Sequence, residues 1–294
     1  MRRRTTSIVV VASLALLATG VANATSSAKS TTARFGARLM LDTAVSSNWA
    51  GYVASAPSAA QPAPASGLSF TDVAGSWVQP HLTCSAGEVG AAAFWVGLGG
   101  AQGSSSGGSQ TPSSALEQVG TEGDCSRNGR ASYFAWYEFL PAGPVTIKLK
   151  VRPRDRITGA VLISGSQVIV TLKNLTTHKR FSKRFGSVSP LDVSSAEWIA
   201  EAPSLCSSSN QCTPVPLPNF GTVAFTNATA IANGHPGTLS DSTWSSAPIV
   251  LAPDPAAPTN LGLAPNTHGA TPSPIGADGR SFTVSWQETI SRSG

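Results

Sequence analysis

Cutting a covalent bond with water needs a base or nucleophile, a proton carrier and a donor for the charge that develops, so residues able to fill those roles are sought first. His-Glu-x-x-His is absent, which removes the common zinc-hydrolase signature. Gly103-Ser-Ser-Ser-Gly107 spells Gly-x-Ser-x-Gly, but it lies in a Gly/Ser-rich run with no strand before it and no helix after it. The sharp strand-to-helix turn that exposes a nucleophilic serine is therefore missing. No Asp-Thr-Gly or Asp-Ser-Gly pair offers a two-aspartate centre. His81, His178, His235 and His268 stand singly, without metal-ligand spacing, so neither a metal nor another cofactor is expected. What remains is six segments of unusual content, in this order: Ser46-Ser-Asn-Trp-Ala-Gly-Tyr52, Phe94-Trp-Val-Gly-Leu-Gly99, Ala115-Leu-Glu-Gln-Val-Gly120, Tyr133-Phe-Ala-Trp-Tyr-Glu-Phe139, Ala196-Glu-Trp-Ile-Ala-Glu201 and Phe220-Gly-Thr-Val-Ala-Phe225.

The elements that carry these segments are strands. Val145 to Val151 alternates, with Val145, Ile147, Leu149 and Val151 on one face and Thr146, Lys148 and Lys150 on the other. Val161–Leu172, Thr222–Thr226 and Ser281–Trp286 share that β-branched or aromatic character, and Gly, Pro, Asn and Ser clusters punctuate them. Helix signals hardly occur. Three stretches read as loops: Ser55–Gly67, Gly99–Ser114 and the long Ala252–Gly279. From residue 46 to 294 the chain reads as a single antiparallel β-sandwich domain.

The first residues indicate export. Arg2, Arg3 and Arg4 precede an apolar run from Ile8 to Leu17, and Ala22-Asn23-Ala24 supplies small residues for cleavage after Ala24. That run is shorter than the ~20 residues a membrane span needs. Residues 1–24 are thus expected as a signal peptide, 25–45 as a short pro-segment or linker, and the mature protein as secreted and free of the membrane. The formal charge of +5 is not evidence for nucleic-acid binding, because six of the twenty Lys and Arg lie before Ser46 and the remainder of the chain is balanced. Later cations do cluster, from Lys148 to Arg156 and from Lys173 to Arg184. They read either as a patch for an anionic polymer or as a solvated outer face that discourages edge pairing. In an exported chain four cysteines favour disulfides and leave no thiolate. Of three possible pairings, Cys84–Cys125 and Cys206–Cys212 are expected.

Together and in order, the six segments resemble the glutamic peptidase (eqolisin) family, over nearly all of Ser46 to Trp286. The resemblance implies two curved antiparallel sheets in a lectin-like sandwich, with a substrate cleft on the concave face. It points to Gln118 as the catalytic glutamine and to Glu201, not Glu197, as the catalytic glutamate. Trp95 and Trp49 correspond to family tryptophans near the cleft, and Glu138 to a cleft acid. Two positions depart from the fungal pattern: Glu122 stands where those members have aspartate four residues past the glutamine, and Gly99 also stands where they have aspartate. Glu197 shares a strand face with Glu201, so it is a candidate neighbour able to raise the Glu201 pKa. The implied chemistry is coherent: a carboxylate takes the proton of water and returns it to the leaving amine, while an amide N–H holds the oxyanion.

The reading is a secreted acid endopeptidase acting on protein or peptide substrates, monomeric by default. The alternative is a non-catalytic β-sandwich that binds carbohydrate or peptide, for which seven tryptophans would also serve.

Overall fold

The computed structural model describes residues 44–57, 67–101, 115–206, 212–253 and 264–288. The expected signal peptide, nearly all of the expected pro-segment, the Gly103–Gly107 match and parts of all three expected loops lie outside those residues. The first half of the chain supplies β1 (Ala44–Ser46), β2 (Trp49–Ser55), β3 (Phe70–Val78), β4 (Gly90–Gly99), β5 (Leu116–Cys125) and β6 (Ala131–Phe139). Next come β7 (Val145–Ile147), β8 (Arg156–Ser164), β9 (Gln167–Asn174), β10 (Lys179–Phe185) and β11 (Ser195–Glu201). The last part holds β12 (Ser204–Cys206), β13 (Cys212–Pro214), β14 (Thr222–Ala232), β15 (His235–Thr238), β16 (Ser245–Leu251), β17 (Gly269–Pro272) and β18 (Phe282–Gln287).

The hydrogen-bonded order is β10-β9-β8-β3-β14-β18-β17-β16-β2-β11-β4-β5-β6-β7. This strip curls back on itself, so that β3, β8 and β9 pack against β4, β5 and β11. The two curved layers are those of the expected sandwich. They differ from two separate sheets in that the ladder continues from one layer to the other through β18, β17 and β16. Between the layers lies the main core, built on Phe70, Trp77, Phe94, Trp198 and Phe225. Two buried indoles also tie the layers by hydrogen bonds: Trp77 Nε1 donates to Thr121 Oγ1 at 2.9 Å, and Trp198 Nε1 donates to the Ala74 carbonyl at 2.8 Å. A buried indole N–H needs such a partner, so these bonds fix layer alignment as well as packing.

Local patterns were kept or cut by pairing. Leu149 and Val151 are buried and Lys148 and Lys150 exposed, as alternation requires, but the ladder stops at Ile147. There the Leu149 N–H turns back to the Ile147 carbonyl at 2.8 Å. The stretch 161–172 is not one strand, because Gly165, at φ +60°, opens a two-residue turn between β8 and β9. Glycine in the first central position suits the type II′ hairpin. Both expected disulfides are present, Cys84–Cys125 and Cys206–Cys212. The sheet also begins earlier than the expected domain start: Ala44–Ser46 runs parallel to Ile249–Leu251. The cations of β8, β9 and β10 lie on adjacent strands, and the one ion pair among the described residues is His235–Asp241 elsewhere.

Candidate active site

β4 carries an unbroken apolar run, Gly90-Ala-Ala-Ala-Phe-Trp-Val, because it is buried on both faces. Phe94, Val96 and Leu98 enter the main core, while Ala93 and Trp95 join a second cluster with Trp49, Leu116, Trp136 and Ile199. The candidate residues gather on this second face. Antiparallel pairing of β2, β11, β4, β5 and β6 lays them in rows. One row is Trp49, Glu201, Ala93, Glu122 and Phe134. The next is Gly51, Ile199, Trp95, Gly120 and Trp136, and the third is Val53, Glu197, Gly97, Gln118 and Glu138.

Two bare positions let Trp95 lie across these rows. A Cβ on Gly120 would stand 2.6 Å from Trp95 Cβ, and one on Gly97 would stand 2.9 Å from Trp95 Cζ3 and 3.1 Å from Gln118 Cβ. The benzo edge of the indole therefore reaches the Gln118 row. Its other end, Nε1, donates to Glu201 Oε2 at 2.7 Å. Trp49 packs edge-on against it, ring centroids 5.0 Å apart. No direct hydrogen bond joins Gln118 to Glu201 among the described residues; Trp95 spans the space between them.

Glu201 has a second donor. Asn48 Nδ2 reaches Oε1 at 3.0 Å, and Asn48 is itself held by Ser46 Oγ, which donates to its Oδ1 at 3.1 Å. Burial pushes the Glu201 carboxyl up to about 8, while the N–H groups of Trp95, Trp49 and Asn48 pull it down. Gln118 donates from Nε2 to Glu138 Oε2 at 2.6 Å, which orients the amide and leaves its second N–H available. Glu122 is pushed well above the usual carboxylate range, first by burial and then by Asp124, Glu201 and Glu138. Glu122 thus connects the surroundings of Glu201 with those of Gln118.

Glu197 shares the face of Glu201, as strand geometry requires, yet its acidic neighbours are Asp192 and Glu117. The groups that act on Glu201 are instead Trp95, Trp49 and Asn48. Ser46, Asn48 and Trp136 are additions that the sequence reading did not single out, although all three lie in segments it quoted. Glu117 is another: alternation on β5 turns it to the face opposite Gln118. A separate surface cavity of about 470 Å³ lies between the Cys84–Cys125 bridge and Trp286, and none of these acids lines it.

Residues 47–248 match the Peptidase A4 family. Aspergillopepsin-2 of Aspergillus niger is 31% identical over 222 residues, covering 67% of this chain and 69% of that protein. Among solved structures, scytalido-glutamic peptidase with a transition state analog inhibitor superposes with a TM-score of 0.59 at 24% identity, over 82% of this chain and 98% of that one. SCP-B, an Eqolisin family member in complex with the tripeptide Ala-Ile-His, gives 0.55 at 23% identity over the same shares. These structural likenesses carry the fold; the sequence matches carry the family. The molecule is an all-β endopeptidase of the glutamic type. The chain belongs to the Peptidase A4 family.

Proposed function

We propose that the protein is an exported acid endopeptidase in which Glu201 is the base and Gln118 the oxyanion donor. Glu201 takes a proton from water as the water oxygen attacks the peptide carbonyl. The second Gln118 N–H donates to the resulting oxyanion. The protonated Glu201 then passes its proton to the leaving nitrogen as the C–N bond breaks. A positioned base contributes roughly 10²–10⁴ in rate, and an oxyanion donor about 10²–10³. The rest must come from holding the peptide, for which Trp49, Trp95 and Trp136 offer rigid walls and Glu122, Glu138 and Glu197 offer polar contacts.

The observation that carries this reading is the cradle of Glu201: neutral N–H donors meet each of its two oxygens. Such donors stabilise a carboxylate without bringing a cation that would compete for it. In the closed protein burial outweighs them. Water admitted with a peptide relieves that burial, so the acid limb of the rate profile should lie well below 8. Gln118 does not titrate, and its N–H keeps donating in acid.

Export rests on residues 1–24 as a cleaved signal peptide and on two disulfides, which suit an oxidising compartment. Residues 25–43 are then a pro-segment or linker, the peptidase domain starts at β1, and the working form is a monomer. Two related structures hold a transition state analog and a tripeptide; by extension the substrate here is an extended peptide segment. The test is cleavage of a denatured protein from about pH 2 to pH 7 by the mature protein and by Glu201→Gln. Acid activity in the first and its loss in the folded variant are expected. Equal activity in both would overturn the assignment.

A further inference from the structure

Charges that balance along the chain do not balance on its surface. Every described lysine and arginine is exposed, whereas of the described acids only Glu88, Asp278 and Glu288 are. Ten of the cations lie in 148–156 and 173–184, and the only acid between 140 and 190 is Asp155. Asp155 is 5% exposed, and its Oδ2 already accepts the Arg152 N–H at 2.9 Å and Asn174 Nδ2 at 2.7 Å. The same Nδ2 reaches the Lys150 carbonyl at 3.1 Å, and Asn174 Oδ1 accepts the N–H groups of Thr176 and Thr177. One buried pair thus fastens the loop 150–155 to the turn between β9 and β10, and gathers both runs of cations at one end of the sheet. On the outer face Arg180 stands directly opposite Lys173, and Lys173 opposite Thr158, two residues from Arg156. The one acid that β3, β8, β9 and β10 bring to this face is Asp72, three strands from Arg184, about 14 Å away. That exceeds the screening length of about 8 Å at physiological salt, and burial raises the Asp72 carboxyl.

Edge protection explains only part of this. β10 ends the strip, and charge on an edge strand discourages pairing with another chain. Lys173 and Arg156 lie on β9 and β8, which are paired on both sides. Like charges directly opposite, as in Arg180 and Lys173, destabilise a ladder, and neither has an ion-pair partner among the described residues. We propose that this face binds an anionic polysaccharide whose charges are sulfate or phosphodiester groups. Lysine and arginine keep their charge in acid, as do these esters, whereas carboxylates lose theirs; only that choice rests on the acid activity proposed above. Hydroxyls lie between the cations: Thr171 and Ser182 are bonded at 3.0 Å, and Ser76 and Thr158 at 2.9 Å. Sugar hydroxyls find partners there, but nucleobases find no ring to stack on, because Phe181 and Phe185 turn inward against Tyr137 and Phe139. The exposed apolar side chains nearest Arg156, Val78 and Leu175, stand singly and offer no broad apolar face to a lipid surface. Behind the cations, Ile157, Val161, Val170 and Leu172 enter the main core, and the catalytic residues lie beyond it on the far face of β4 and β5. A bound polymer therefore leaves the cleft open.

The test measures binding of the whole exported protein to dextran sulfate at about pH 4, beside neutral dextran, single-stranded DNA and anionic phospholipid vesicles. Expected is binding to dextran sulfate and none to dextran. Arg156→Ser, Lys173→Ser and Arg180→Ser combined should weaken that binding about tenfold or more. The same three changes should leave kcat/KM on a soluble peptide within about twofold of the parent. Arg127→Ser, Arg130→Ser and Arg280→Ser combined remove as much charge elsewhere and should leave binding within about twofold. Equal weakening by the two triple variants would reduce the effect to net charge and overturn the proposal. So would a parent that ignores dextran sulfate, or one that binds DNA or vesicles more tightly at equal charge. A parent that binds dextran sulfate yet cleaves nothing in acid would refute the peptidase reading and leave this surface standing.

Discussion

Replacing Glu201 by Gln should abolish cleavage and, at neutral pH, make the protein more stable. Glu201 is 2% exposed and its carboxyl is pushed from the ordinary 4.5 to about 8. Between those values the folded protein holds a proton that the unfolded chain has lost. Stability is therefore fully present below 4.5 and drains away as pH rises toward 8. At pH 7 the loss is 2.5 units at 1.36 kcal/mol each, about 3 kcal/mol. The amide of Gln cannot ionise, so the variant escapes this loss. It has its own cost at every pH: Trp95 and Asn48 both donate to the carboxyl, and a Gln side chain has one acceptor for them, which costs about 1 kcal/mol. The variant should be about 1 kcal/mol less stable than the parent at pH 3 and about 2 kcal/mol more stable at pH 7. Urea unfolding of both proteins at the two pH values reads this difference directly. A stability difference of the same sign and size at both pH values would refute the argument that burial governs this carboxyl.

Asn48→Ala removes one N–H donor from Glu201 and should move the acid limb of the kcat/KM profile up by about one pH unit, so that activity falls most at low pH; an unmoved limb would show that this bond does not support the charged form. Gly97→Ala places a methyl between the Trp95 ring and Gln118, with a cost of about 1–3 kcal/mol and a lower kcat; parental kcat together with parental urea midpoint would contradict the close approach. Losing the Cys84–Cys125 bridge, which closes a separation of 41 residues, should cost about 4 kcal/mol, against about 2 kcal/mol for Cys206–Cys212 with a separation of 6. Thermal melts of the two Cys→Ser pairs check that order.

The strands were legible where one face is polar. Lys148 and Lys150 point outward and Leu149 and Val151 inward, as their alternation says, whether or not a neighbour completes the ladder. Period tells which face a residue takes but not which strand lies beside it. The hairpin at Gly165, the parallel pairing of β1 with β16 and the passage of the ladder through β17 and β18 therefore escaped. The same distinction holds for the site. Gln118, Glu201, Trp95 and Glu138 stand in segments whose content and order carry the family resemblance. Asn48 meets Glu201 across 153 residues, and such a contact leaves no local pattern. Glu197 was legible as a same-face neighbour of Glu201. The register places one row, that of Ile199 and Trp95, between them, and its acidic company is Asp192 and Glu117.

The central claim is that Glu201 and Gln118 work as one unit in peptide hydrolysis, and a double-mutant cycle on kcat tests it most directly. Expected are losses of about 10² or more for Gln118→Ala and larger ones for Glu201→Gln, with the double variant no slower than Glu201→Gln alone. Losses that multiply, or a folded single variant that keeps the parental kcat, would contradict it.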